Sequence, residues 1–189
     1  MANLEKAELR RLMRRRRARF ARDHPDAAEQ AAAHFPARLV ATAQVVGGYY
    51  PVGAELDPWP LLIRFAAAGA ALTLPATTAI EAPLVFRLWS AGDSLAPDVL
   101  GIPSPTALRG VATPDLILAP MLAFDRTGGR LGQGGGSFDR TLAALRAHGP
   151  VMVVGVAFSG QEVETVPRET HDQPIDAILT ERTFFEIGR

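Results

Sequence analysis

The 189-residue sequence contains no cysteine, which excludes a disulfide framework, a thiolate metal site and a cysteine nucleophile. Lysine is nearly absent as well: of the twenty basic residues, one is Lys6 and 19 are arginine. A Walker A loop ends in Gly-Lys-Ser/Thr, so a chain whose lysine stands at position 6, outside any glycine loop, has none. No apolar run approaches the ~20 residues that span a bilayer, and the N-terminus is charged where a secretory signal needs an apolar segment. A cytoplasmic protein is expected, without membrane association. The Arg-rich start carries acids and lacks serine, which argues against an organelle transit peptide.

What is present suits a folded body. Hydrophobic residues make up 48% and charged residues 21%, enough apolar material for a core. The length predicts one domain over 1–189, with a basic helix at about 4–20 packed on it. Acids and bases balance at twenty each, yet residues 1–22 hold nine basic residues against Glu5 and Glu8. In so arginine-biased a chain, Lys6 is either a chance survivor on a solvated face or a place where a compact ammonium cannot be exchanged for a planar guanidinium. Composition weighs the two evenly.

Residues 4–20 are strong helix formers, with Leu4, Leu9, Leu12, Met13 and Phe20 as an imperfect apolar stripe. Spacing of four puts Lys6, Arg10 and Arg14 on one face, where three cations repel unless an anion or acidic neighbours compensate. Residues 26–42 read as helix broken at Pro36. Short apolar runs at 43–50, 70–74, 83–89, 114–120, 151–158 and 176–180 read as strands, and 58–69 and 138–149 as helices between them. This alternation predicts an α/β fold with a mostly parallel sheet covered on both faces. Residues 90–113 read as an irregular excursion. Ligands of parallel sheets sit beyond the carboxyl ends of the strands, which directs attention to the segments after 43–50 and 114–120 and to 166–176.

The second of these contains GGRLGQGGG, six glycines in residues 128–136, followed by Ser137, Phe138, Asp139 and a helix. Glycines let backbone approach a ligand and take positive φ, and free N–H groups leading into a helix N-terminus suit phosphates. A dinucleotide fingerprint fails, because a third glycine counted from Gly132 or Gly134 falls on Ser137 or Asp139. A flexible surface loop is the competing reading; Arg126, Arg130 and Asp139 favour phosphate and Mg²⁺.

Lys-x-x-Leu-Arg at residues 6–10, a strand followed by Glu55, Gly-Ile-Pro-x-Pro at 101–105, the block PDLILAPMLAFDRTGGRLGQGGGSFD and the closing HDQPIDAILTE together resemble the 5-formyltetrahydrofolate cyclo-ligases, also called methenyltetrahydrofolate synthetases. The resemblance runs in register over roughly residues 4–181. It implies a three-layer α/β sandwich and an ATP- and Mg²⁺-dependent ligase that cyclises 5-formyltetrahydrofolate to 5,10-methenyltetrahydrofolate, releasing ADP and phosphate.

By position, the resemblance implies catalytic roles for Lys6, Arg130 and Glu55, and nucleotide contacts by Lys6, Arg10, Arg130, Leu131, Gly132, Gln133, Gly134, Gly135, Gly136 and Phe138. It implies folate contacts by Tyr50, Glu55, Gln133, Gly134, Gly135, Gly136 and Ser137, and magnesium association for Asp139 and Asp176. Glu55 is left with two roles, orienting the substrate or managing a proton near the pterin. The family commonly has two aromatic residues before the aspartate, where this chain has Ser137-Phe138. A divergent homologue that binds nucleotide or RNA with weak or altered activity is therefore the alternative.

The arginines at 14–17 lack interleaved aromatics for base stacking, so they read as a solvated helix face and nucleic acid is not an expected partner. His171 and Asp172, preceding Asp176, offer a metal or general-base constellation or, in the reading preferred for His171, a polar loop that positions Asp176. Trp59 and Trp89 read as core or pocket wall.

Overall fold

The computed structural model describes residues 2–188, with side chains from Glu5 onward; the side chain of Leu4, read above as part of the apolar stripe, lies outside the described set. The chain opens with helices α1 (Ala2–Asp23), α2 (Ala27–His34) and α3 (Ala37–Thr42), then strand β1 (Val45–Gly47), α4 (Trp59–Ala67), β2 (Ala71–Ala76) and β3 (Val85–Trp89). Strands β4 (Leu95–Pro97), β5 (Pro103–Pro105), β6 (Leu116–Pro120), β7 (Ala123–Phe124) and β8 (Arg130–Leu131) follow. Helix α5 (Ser137–His148) and strands β9 (Met152–Val156), β10 (Ala177–Leu179) and β11 (Phe184–Glu186) complete it.

Seven strands form one sheet in the order β11-β10-β9-β6-β1-β2-β3. The five inner strands pair in parallel, and the edge strands β3 and β11 run antiparallel to their neighbours. The alternation of side chains along a strand feeds two cores. On β6, Leu116 and Leu118 join Leu61, Leu62 and Phe65 of α4 on one face. Ile117 and Ala119 join Leu142 of α5 on the other. Helices α2 and α4, sheet and α5 thus make three layers, the α/β sandwich expected from the sequence.

Helix α1 reaches the first core only through Phe20 and Ala21 near its end. Its fully buried Met13 and its neighbour Leu9 pack with Leu122, Ala123, Leu131 and Val166 in a third cluster. Phe20 lies so close to Gly160 that a Cβ there would fall 2.0 Å from the ring, so this seat requires a glycine. The helix behind Pro36 restarts at Ala37, as the break in pattern predicts.

The irregular excursion differs from expectation. Residues 95–105 form the β4–β5 hairpin, and the chain at 110–112 returns to bond the β3 edge through Leu88 N–H to Gly110 and Ala112 N–H to Phe86. These pairings escape sequence reading because Pro97, Pro103 and Pro105 suppress the strand pattern while remaining tolerable on edges. Strands β7, β8 and β11 are two or three residues long, too short for periodicity to register.

Strand β1 leads through α4 to β2 on one side, while β6 lies against its other side. Connections therefore depart in opposite directions from β1 and β6, and a crevice opens beyond their carboxyl ends.

Candidate active site

A cavity of about 560 Å³ occupies that crevice. Its floor is Tyr49 and Tyr50 after β1, Pro120 at the end of β6, and Met121 and Leu122 beyond it; the glycine loop and the start of α5 form one wall. Thr77 and the turn around Asp98 to Ile102 form another, and Lys6 and Arg10 enter from α1.

One face of α1 is devoted to these neighbours. Lys6, with 5% of its surface exposed, sets Nζ 2.7 Å from Asp172 Oδ2 and 3.5 Å from Glu169 Oε1. Arg10 donates Nε to the Gly132 carbonyl at 3.0 Å, and Arg14 donates to Gln133 Oε1 at 3.0 and 3.2 Å. Arg17 completes the row, its Nη1 3.2 Å from Glu55 Oε1. The predicted repulsion among these cations is relieved by carboxylates at both ends and loop oxygens between. Burial pushes the Asp172 carboxyl up, but the Lys6 ammonium and the Glu169 N–H outweigh it and hold Asp172 below its ordinary range.

Within the glycine loop, Gly134 and Gly136 have φ of 107° and 67°, the left-handed region that disfavours a side chain. Gly136 stands at the N-cap of α5, where no side chain caps the helix, so first-turn amides lead into the cavity. Arg130 Nη2 lies 2.5 Å from Asp139 Oδ1, an oxygen that also accepts the Gln173 N–H at 2.9 Å. Burial pulls the Arg130 guanidinium below its ordinary value against the opposing charges of Asp139 and Asp172. Its Nε is buried without a hydrogen-bond partner. Phe138 sits 6.0 Å from Arg130 Cζ, a cation–π contact that accounts for an aromatic at this position.

Glu55 and Tyr50 line the opposite part of the cavity. Glu55 Oε2 accepts the Val52 N–H at 3.0 Å, and Tyr50 packs edge-on against Trp59 at 6.1 Å. Buried Tyr49 donates its hydroxyl to the Leu56 carbonyl. Burial first, then the charges of Glu55 and Asp57, push its phenol well up despite Arg17, so Tyr49 stays protonated and serves the wall.

The structure brings together Lys6, Arg10, Tyr50, Glu55, Arg130, Leu131, Gly132, Gln133, Gly134, Gly135, Gly136, Ser137, Phe138 and Asp139 on this one cavity. Asp176 is placed elsewhere. It receives Arg146 at 3.0 Å and the Val153 N–H at 2.8 Å, contacts that tie α5 to β9, and it does not line the cavity. Arg126, read with the phosphate loop, instead pairs with Glu162 on the surface. Among the described residues no three acidic or histidine side chains are grouped to hold a metal ion; of the two residues expected to associate with magnesium, Asp139 lines the cavity and Asp176 does not.

Sequence reading missed Asp172, whose partner is Lys6 rather than Asp176, and Arg17, which was grouped with a solvated face but is 6% exposed. The signal for Asp172 was the isolated lysine itself, which needed an anion if buried. Arg17 continues the Lys6–Arg10 face after two further turns of the helix.

Comparison with known proteins names the family that the sequence resembles. The 5-formyltetrahydrofolate cyclo-ligase family matches residues 2–181. A 5-formyltetrahydrofolate cyclo-ligase of Escherichia coli K12 is 34% identical over 152 residues, covering 78% of this chain and 83% of that protein. One from Mycolicibacterium smegmatis is 33% identical over 149 residues, covering 75% and 76%. The solution structure of Aquifex aeolicus 5,10-methenyltetrahydrofolate synthetase superposes with a TM-score of 0.77 at 26% identity, covering 97% of this chain and 94% of that one. Family match, sequence identity and superposition agree: the chain belongs to the 5-formyltetrahydrofolate cyclo-ligase family and is an enzyme of the ligase class.

Proposed function

We propose that this enzyme uses ATP to cyclise 5-formyltetrahydrofolate to 5,10-methenyltetrahydrofolate. The observation that carries the reading is the meeting of Lys6, Arg10, Arg130 and the glycine loop with Glu55 and Tyr50 on one cavity. Along α1, Lys6 and Arg17 stand eleven positions apart, about 16 Å of helix rise. That span suits a triphosphate at one end and a reduced pterin at the other.

A formamide oxygen is a poor leaving group. Transfer of the γ-phosphoryl group to the formyl oxygen releases ADP and makes the formyl carbon electrophilic. The lone pair of N10 then forms the new C–N bond, N10 gives up its proton, and the C–O bond breaks with departure of phosphate. No protein nucleophile is needed, so the chain's contribution is positioning and charge. Lys6, Arg10 and Arg130 supply positive charge to the phosphates, with the unpartnered Nε of Arg130 and the uncapped start of α5 as donors. Glu55 accepts N–H groups of the pterin, and Tyr50 adds an aromatic wall.

The residues present fit a magnesium ion in the manner that ion prefers, with one carboxylate and the rest of its shell from phosphate and water. Asp139 would hold it, beside Arg130 at the first turn of α5. Mg²⁺ there would neutralise charge on the phosphates during transfer. Ser137 offers a hydroxyl where the family commonly carries a ring.

The test is the rise of the methenyl product's absorbance on mixing the protein with ATP, Mg²⁺ and 5-formyltetrahydrofolate, with equimolar ADP formed. Product that appears only with all three supports the proposal. Nucleotide binding without absorbance change overturns it in favour of a divergent, non-cyclising homologue.

A further inference from the structure

We infer that Arg17 is a positioning residue for Glu55, fixing from α1 the carboxylate that meets the pterin. The inference deepens the proposed function and rests on it. Arg17 itself does not face the cavity, whereas Glu55 does. The two side chains are 8% and 9% exposed, and Nη1 stands 3.2 Å from Oε1. The second carboxylate oxygen receives the Val52 N–H at 3.0 Å. One oxygen is thus tied to the helix and the other to the loop after β1, which leaves the carboxylate little rotational freedom.

The pair is a poor device for stability alone. Its contact runs through one nitrogen, and Arg17 Nε is buried with no hydrogen-bond partner. A buried pair with an unmade donor carries a desolvation cost that an apolar side chain of similar length would avoid. The acids nearby make the cation's presence intelligible: Glu55 and Asp57 both act on the buried Tyr49, and Arg17 is the charge that opposes them there. Without Arg17, Glu55 would be a nearly buried carboxylate held by one amide, and it would turn away from the cavity toward water.

Arg17 follows Arg10 by seven residues and so projects from the same face of α1. The helix that brings Lys6 and Arg10 to the phosphate end therefore also sets the acid at the pterin end.

A double-mutant cycle tests this. Steady-state kinetics and Tm are measured for wild type, Arg17→Met, Glu55→Gln, the double variant and Arg17→Lys, varying each substrate in turn. Arg17→Met is expected to raise KM for 5-formyltetrahydrofolate about tenfold, the scale of one lost charge-assisted hydrogen bond, with KM for ATP changed less than about twofold. In the Glu55→Gln background Arg17→Met should add almost nothing, and Arg17→Lys should recover part of the loss. An Arg17→Met effect that persists undiminished without Glu55, or that raises both KM values together, overturns the inference and leaves a packing role. If Arg17→Met does not fold, Arg17→Gln, which keeps two methylenes and an N–H donor, carries the same comparison. A wild-type protein without turnover overturns the function instead; the cycle is then read in equilibrium binding of 5-formyltetrahydrofolate, where uncoupled effects, or no binding at all, overturn the positioning role as well.

Discussion

Lys6 Nζ lies 2.7 Å from Asp172 Oδ2, joining residues 166 positions apart. The ammonium also reaches Glu169 and is nearly enclosed, so the chain's lysine stands where a compact cation fits between two acids. Lys6→Arg keeps the charge but inserts a broad planar group. It is expected to raise KM for ATP about tenfold, or ~1.4 kcal/mol, while KM for the folate stays nearly constant. Unchanged ATP kinetics would return Lys6 to a bystander.

Asp139 and Asp176 separate by role. Asp139→Asn, at the cavity wall beside Arg130, should lower kcat and shift the Mg²⁺ activation midpoint upward severalfold. Asp176→Asn weakens the link to Arg146 and Val153, so it should lower Tm by a few degrees, about 1–2 kcal/mol, and leave the Mg²⁺ midpoint in place. A magnesium titration of both variants with a thermal melt checks the pair, and the reverse pattern refutes the assignment.

Asp125 predicts the acid limit of stability. Burial pushes its carboxyl up, but the Thr127 hydroxyl and the N–H groups of Val166, Gly129 and Thr127 outweigh it and hold it at about 2, from an ordinary 3.8. A carboxyl depressed in the folded state stabilises it above the unfolded value and loses that contribution as pH falls toward the folded one. About 2 kcal/mol should therefore disappear between about pH 4 and 2. Melts across this window should show the loss in wild type and a flatter profile in Asp125→Asn, which starts less stable at neutral pH; equal slopes would contradict the account.

Gly134→Ala tests the loop. With φ of 107° and a Cβ that would stand 3.2 Å from Arg10 Cζ, the substitution costs about 1–2 kcal/mol of backbone strain and displaces Arg10 from the Gly132 carbonyl. KM for ATP should rise severalfold with a modest fall in Tm. Wild-type values for both would show that the glycine is dispensable.

Much of the fold was legible. The six runs read as strands each overlap a strand of the sheet; for the five inner strands, burial on both faces of a parallel sheet leaves an unbroken apolar signature. The hairpin at 95–105 was hidden by its prolines. The basic face was legible up to Arg14, but Arg17 sat inside a run of four arginines, and charge pattern alone cannot tell which of them turns inward.

Asp176 illustrates the opposite limit. It stands in the closing block four residues after Asp172, and the family resemblance implied magnesium association for it. It lies immediately before β10, where its carboxylate accepts the Val153 N–H of the adjacent strand and pairs with Arg146 of α5.

Composition and order of residues by themselves determined the chemistry on offer: no thiol, one lysine, a glycine ribbon that takes positive φ, and apolar runs that demand burial. These are local properties, set by side-chain type and by backbone freedom. Which carboxylate answers which cation was decided only in three dimensions. The reversal of strand order between β1 and β6 opens the crevice, and the docking of Met13 and Phe20 lays α1 across its mouth. An ion pair depends on separations of a few ångströms between groups distant in sequence, 38 positions for Arg17 and Glu55 and 166 for Lys6 and Asp172, and only the packing of the layers sets that distance.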